Sequence, residues 1–387
     1  MLTTLAIANY RSLRNLVIPL KRLNVITGAN GSGKSSLYRA LRLLANTAQG
    51  RIIPSLAREG GLQSTLWAGP ESISRAVKSG EHPVQGTRRS QAITLSLGFA
   101  SEEFGYLIDL GLPASGTTAF PLDPVIKREC IWHGPVLRPS TMLADRQGQL
   151  VRILARDGAW NAVTDSLSVF DTMMTHVAEP QNAPEMLMLR ESIRAWRFYD
   201  HFRADADAPA RSPQVGTYTP VLCDDGADIA AAIETIRSFG DEEALASTVD
   251  DAFPGSQLSV TSDSGRFTLM MKQHGLLRLL SAAELSDGTL RYLLWIAALL
   301  TTRPPGLMVL NEPETSLHPS LIPALGRLIA RASGRSQVIV VTHATQLIEA
   351  LTKEPGCHSI VLEKTFGETT MVGAKQTNLP AWHWPPR

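Results

Sequence analysis

Gly28-Ala-Asn-Gly-Ser-Gly-Lys34-Ser35 follows the apolar run Leu23-Asn-Val-Ile-Thr27 and precedes Ser36-Leu-Tyr-Arg-Ala-Leu41. The first run has the length and composition of a buried strand, and the last has the pattern of a helix. A glycine-rich loop between strand and helix is the context that a phosphate-binding loop requires. Its glycines let successive backbone amides curl around phosphate oxygens, and the helix N-terminus adds partial positive charge. Lys34 is placed to reach the β- and γ-phosphates, and the Ser35 hydroxyl to ligate Mg²⁺. Asn30, Gly31, Ser32, Gly33, Lys34, Ser35 and Ser36 are therefore the candidate residues for binding a nucleotide.

Upstream, Leu2 to Ile7 and Leu16 to Leu20 read as strands leading into the loop. Downstream, Ile93, Leu95, Leu97 and Phe99 alternate with polar residues within Gln91 to Phe99, and Tyr106, Ile108 and Leu110 repeat that alternation after Gly105. This pattern predicts an antiparallel hairpin. From about Pro135 the pattern turns irregular and then helical, with Ile229, Ala232, Ile233 and Ile236 on one face and Leu245, Val249 and Phe253 on another. Ala204 to Pro220, with three prolines and two aspartates, is the candidate mobile loop, as lid or connector.

Strands return at Gln257 to Val260 and Arg266 to Lys272, followed by an apolar helix around Leu290 to Leu300. Leu307 to Leu310 and Gln337 to Val341 are short buried-strand runs, and the stripe Leu321, Ile322, Leu325, Leu328 and Ile329 between them predicts a helix ending near Gly334. Strands alternating with helices imply an α/β fold with a mainly parallel core sheet. The expected division is an N-terminal lobe with the phosphate loop and a β subdomain at 1–135, a mostly helical insertion at 136–254, and a C-terminal lobe at 255–387. No repeat of solenoid period and no sustained heptad is present.

Charge and composition exclude several classes. The 387 residues carry 37 Lys and Arg against 36 Asp and Glu, so no global basic excess marks constitutive nucleic-acid or acidic-membrane binding. Cys130, Cys223 and Cys357 have neither disulfide-framework nor zinc-site spacing, which suits a reducing interior. Met1 to Tyr10 alternates like a strand and has no signal-peptide features. The longest apolar run, Tyr292 to Leu300, falls short of the roughly 20 residues needed to span a bilayer as a helix. A cytoplasmic protein without a membrane partner is expected.

Three further constellations carry chemistry. Leu307 to Leu310 runs into Asn311-Glu312-Pro-Glu314, which places polar groups at the carboxyl edge of a sheet, where α/β folds present ligand crevices. Glu312 is the candidate general base, able to orient the water that attacks a γ-phosphate. Glu314, on the adjoining turn, reads equally as a supporting or a solvated residue. Gln337 to Val341 likewise delivers Thr342-His343 to that edge, making His343 a candidate phosphate sensor. Leu285-Ser-Asp-Gly-Thr289 ahead of an apolar helix is a second small anion-binding device, or an ordinary helix cap by Ser286 or Asp287.

Together, "LAIANYRSLRNLVIPLKRLNVITGANGSGKSS", "LSDGT", "LMVLNEPETSLHP" and "VIVVTHATQLIEAL" resemble the RecF/SMC class of ABC ATPases, in particular the short RecF-like or OLD-like ATPases of AAA type. The resemblance implies a P-loop head that binds ATP and Mg²⁺ and hydrolyses ATP, using Lys34, Glu312 and His343. It also implies a homodimer in which Ser286 and Gly288 reach the γ-phosphate held by the partner. Asn311 stands where the family has a Walker B aspartate, so one negative charge near Mg²⁺ is missing and its amide oxygen is left to act through a metal-bound water. Asp287 and Thr289 replace the glycine and glutamine of the common signature. Gln63 is the candidate for the glutamine that senses Mg²⁺, and Arg11 the candidate basic residue beside the phosphates.

Two functions fit this class. One is an ATPase in DNA repair or maintenance or in genome defence against phage. Its DNA contacts would come from Arg190, Arg194 and Arg197, which share one face if that segment is helical, with Lys127, Arg128, Arg138, Arg146, Arg152 and Arg156. With Glu191, Asp200, Asp205 and Asp207 nearby, the same residues read equally as a solvated face. The other is an ATP-gated switch that hydrolyses weakly or not at all, and that controls a partner nuclease or toxin. Leu351 to Arg387 is expected to be too short for a nuclease domain of the kind that OLD-like relatives carry.

Overall fold

The computed structural model describes residues 1–70, 93–114, 116, 118–178, 180–374 and 379–385. In chain order the elements are β1 (Leu2–Tyr10), β2 (Leu13–Pro19), β3 (Leu23–Gly28), α1 (Lys34–Thr47), α2 (Ile52–Arg58), α3 (Leu62–Thr65), β4 (Leu95–Ser101), β5 (Phe104–Gly111), β6 (Val125–His133), β7 (Met142–Gln147), β8 (Leu150–Leu154) and β9 (Trp160–Thr164). Then come α4 (Met173–His176), α5 (Pro184–Arg194), β10 (Arg197–Tyr199), β11 (Gln214–Val215), α6 (Ile229–Phe239), α7 (Glu242–Ala252), β12 (Gln257–Asp263), β13 (Arg266–Lys272) and β14 (Leu280–Ser281). The chain closes with α8 (Asp287–Leu299), β15 (Leu307–Asn311), α9 (Ile322–Ser333), β16 (Gln337–Val341), α10 (Thr345–Thr352), β17 (Cys357–Thr365) and β18 (Glu368–Met371). They fall into two compact units.

The first unit comprises Met1–Lys21, Gly28–Trp196 and Ile360–Arg387. Its antiparallel sheet has the order β2-β1-β4-β5-β6-β7-β8-β9. Ile7 lies opposite Leu16 on β2 and Leu97 on β4, and all three are buried. The expected strand over Gln91–Phe99 begins at Leu95, and Gln91 and Ala92 lie outside the described residues. α1 buries Leu37, Leu41 and Leu44, one helical stripe.

Within the range expected to be mostly helical, 136–254, β7, β8 and β9 are strands of this sheet. The sheet encloses a charged pair, Arg146 Nη1 to Glu129 at 2.7 Å, with both side chains fully buried. Glu129 also accepts from Tyr106 Oη at 2.8 Å and from the Met173 amide at 2.9 Å. Such satisfaction is what makes a charge tolerable in a low-dielectric interior. The C-terminal Trp382 and Trp384 pack beside buried Trp132.

The second unit comprises Arg22–Thr27 and Arg197–Ser359. Its strands β10, β15, β16 and β3 lie side by side and parallel, as the alternation of strands and helices predicts, whereas β17 and β18 of the same six-stranded sheet pair antiparallel, so the core sheet is parallel only in part. Met308, Val309, Leu310 and Val338 to Val341 are buried, which accounts for the unbroken apolar runs. α6, α8 and α9 contribute Ile233, Trp295 and Leu325 to one large core. A small antiparallel sheet, β11-β13-β12 with β14 on β13, completes the unit. Among the described residues no helix is long and apolar enough to cross a membrane.

Candidate nucleotide site

In the first unit, the Gly28–Ser35 loop opens directly into α1, two residues earlier than the sequence pattern suggests. No side chain caps this helix, so its first amides are left for a ligand. Gly33 has φ +105°, and a Cβ there would lie 2.3 Å from Thr369 Oγ1. Gly28, at φ +148°, leaves no more room, since its Cβ would meet Leu362 O at 2.2 Å. The loop is thus folded tightly against the β17–β18 hairpin, whose Thr369 hydroxyl donates to Ser32 O at 2.8 Å. Lys34 Nζ lies back over the loop, 2.6 Å from Gly28 O and 3.1 Å from Ala29 O. Ser32 Oγ is buried without a hydrogen-bond partner. Uncapped amides, a buried hydroxyl and one ammonium fit a polyphosphate. Ser35 is exposed at the helix start, where its hydroxyl fits Mg²⁺, a cation that keeps most of its ligands as water and phosphate. No group of three or more His, Cys, Asp or Glu that could hold a metal occurs among the described residues. Asn30 and Gly31 form the exposed crest of the loop, and Ser36 lies in the first turn of α1.

β15 and β16 of the second unit end level with one another: Asn311 is in register with Val341, which lies in turn opposite Ile26 of β3. Asn311, Glu312 and His343 therefore leave the same sheet edge. Glu312 turns there in the left-handed region, φ +47°, with its amide bonded to Val341 O at 2.7 Å, a backbone state that non-glycine residues adopt rarely. His343 Nδ1 lies 3.4 Å from Glu312 Oε1 and 3.9 Å from Glu314 Oε1, with the imidazole half-exposed. Glu314 is buried and takes a 2.5 Å hydrogen bond from Thr342 Oγ1. It thus braces the turn before His343, which answers the ambiguity left by the sequence.

Ser286 caps α8: its Oγ accepts from the Thr289 amide at 3.2 Å, so the capping reading holds for this serine. Gly288 has open space apart from Ser316 O, 3.6 Å from a hypothetical Cβ. Local packing therefore does not require a glycine there. Arg291, on the same helix, is buried and donates to Phe202 O at 3.1 Å and Thr315 O at 3.3 Å, tying α8 to the loop after Glu314. Burial lowers the pKa of this guanidinium from its ordinary value, the nearby Asp287 carboxylate opposing the shift. The segment expected to be mobile, Ala204 to Pro220, contains Arg211, whose guanidinium bonds to Ala282 O, Ala283 O, Leu285 O and Asp287.

Several of the basic candidates are engaged in ion pairs. Arg11 is paired with Glu59 at 2.6 Å. Arg197 does not share a helical face with Arg190 and Arg194, because α5 ends at Arg194 and Arg197 opens β10. Arg190 and Arg194 both bond Glu191. Arg146 is sealed in the interior, and Arg128 and Arg152 both pair with Asp145. Exposed Lys127, Arg138 and Arg156 are left from that group. Gln63 is exposed on α3. Thr369, Arg211 and Arg291 were invisible in the sequence, since each acts on a segment tens to hundreds of residues away and leaves no local pattern.

Residues 23–349 match the family described as "AAA domain, putative AbiEii toxin, Type IV TA system". The chain belongs to that family. Its fold is similar to that of a solved Smc head bound to the C-winged helix domain of ScpA, at 13% identity and TM-score 0.50, over 97% of this chain and 98% of that one. The SMC head domain from Thermotoga maritima matches at 15% identity and TM-score 0.44, over 97% of this chain and 99% of that one. The Smc head domain bound to the C-terminal domain of ScpA from Pyrococcus furiosus matches at 13% identity and TM-score 0.48, over 96% and 95%. The fold is thus that of an Smc head, the α/β fold that the motif order implied. A search of curated proteins found no match.

Proposed function

We propose that this protein binds Mg²⁺-ATP on the Gly28–Ser35 loop, dimerises in that state, and resets by hydrolysis. The observation that carries the reading is the loop itself: an uncapped helix start, glycines in conformations that other residues rarely adopt, and Lys34 lying over them. Lys34 would hold the phosphates, and Ser35 and, through a water, Asn311 would hold Mg²⁺, which when bound would supply neutralisation of charge on the transferring group. Glu312 orients the attacking water, and His343, held beside it, contacts the γ-phosphate. Ser286 and Gly288 act on the nucleotide of a second copy. A glycine that local packing does not demand suits close approach by a ligand. The family and the P-loop support a role in DNA maintenance or genome defence, with DNA or a protein effector as the further partner.

Dimerisation is tested by sedimentation of Glu312→Gln, which should hold ATP unhydrolysed. A monomer-to-dimer shift with Mg²⁺-ATP, absent with ADP and absent in a Lys34→Ala background, is the expected result. A monomer under all conditions contradicts the reading.

Asn311 favours a second reading, an ATP-held switch with little turnover that controls a nuclease or toxin. Its mark is an ATP dimer of the unmutated protein that persists for hours without phosphate release, and release that appears in Asn311→Asp.

A further inference from the structure

Asp287 sets a problem for the anion-binding role of the Leu285–Thr289 turn. It is the first residue of α8, and its carboxylate is mostly exposed at the helix end that should attract a phosphate. A fixed negative charge there occupies the favourable end of the dipole and repels a second anion. Arg211 answers that charge. Its Nη2 lies 2.7 Å from Asp287 Oδ1, and its side chain is only 9% exposed. The same guanidinium donates to Leu285 O at 2.8 Å, Ala282 O at 3.0 Å and Ala283 O at 3.1 Å. It also donates to Ala204 O at 2.7 Å and Asp205 O at 2.9 Å. Leu285 and Asp287 flank Ser286, so one side chain grips the turn on both sides of the signature serine.

We propose that Arg211 is the positioning residue of this turn: it cancels the charge of Asp287 and holds Ser286 and Gly288 in the shape that receives a nucleotide phosphate from a second copy. The inference rests on the dimer reading above and adds to it the residue that makes an acidic signature compatible with an anion. Stability alone does not account for the Asp287 bond, because an ion pair with one mostly exposed partner contributes little to folding. The carbonyl bonds fix where Arg211 stands, and the carboxylate bond decides what charge the turn shows.

The test uses the full chain carrying Glu312→Gln, with Mg²⁺-ATP as ligand and dimerisation read by sedimentation at several salt concentrations. Arg211→Ala is expected to weaken the dimer about tenfold or more, and Arg211→Ala/Asp287→Asn to recover most of that loss, since the exposed carboxylate is then gone. A double variant as weak as Arg211→Ala overturns the charge role, and an Arg211→Ala dimer as tight as the parent overturns the proposal entirely. Should Arg211→Ala fold poorly, Asp287→Asn alone decides. It removes only the exposed ion pair and should leave the dimer as tight or tighter, whereas a weaker dimer contradicts the proposal. A parent protein that never dimerises sinks the dimer reading and this inference with it, an outcome distinct from the failure of Arg211 alone.

Discussion

His343 Nδ1 stands 3.4 Å from Glu312 Oε1, each residue on the turn that leaves one of two neighbouring parallel strands. The register of β15 and β16 fixes this proximity, and Glu314 secures it by accepting from Thr342. A carboxylate and an imidazole at one sheet edge can divide the work between water and phosphate.

Glu312→Gln keeps the shape of the turn but removes the basic oxygen, so phosphate release should fall at least about 100-fold while ATP binding persists. His343→Ala should cost roughly tenfold to a hundredfold, as loss of one positioned donor. Steady-state release together with equilibrium ATP binding checks both, and equal losses in binding would argue against these roles.

Glu129→Ala should be among the most destabilising single changes in the chain, at about 3–5 kcal/mol, because it strands the buried Arg146 charge. Denaturant unfolding of the first unit measures it. A loss below about 1 kcal/mol would show that water reaches Arg146.

Trp382→Ala should cost about 2–3 kcal/mol, since its ring lies 5.7 Å from that of Trp132 and 5.3 Å from that of Trp384 across a small apolar cluster. Thermal unfolding checks this, and the emission of the remaining tryptophans should shift toward that of water-exposed indole.

Cys223 should alkylate slowly. Burial first, then hydrogen bonds to Asp225 and Asp228, push its thiol up to about 12. A thiol raised in the folded state stays protonated at pH 8, and its contribution to stability is complete below the unfolded value and is lost as pH rises toward 12. Iodoacetamide labelling at pH 8, followed by mass spectrometry, should run at least about tenfold slower than for a free cysteine and accelerate in Asp228→Asn.

What could be read in the sequence were features with local causes. Gly28–Ser35 and the Leu307 and Gln337 runs announced loop, strands and sheet edge, because glycine freedom and unbroken burial are written in adjacent residues. β9 escaped notice because Trp160–Thr164 is an exposed edge strand with little apolar alternation. Arg146 read as surface charge because nothing near it in sequence shows that Glu129 lies opposite. The Ala204–Pro220 segment read as mobile because its prolines are visible and its link to Asp287, through Arg211, is not.

The most direct test of the account is phosphate release by the purified protein with Mg²⁺ and ATP, run beside Lys34→Ala. Steady release by the unmutated protein, abolished in the variant, is the predicted result. Release that survives Lys34→Ala would place hydrolysis elsewhere and contradict the assignment of the Gly28–Ser35 loop as the site of ATP chemistry.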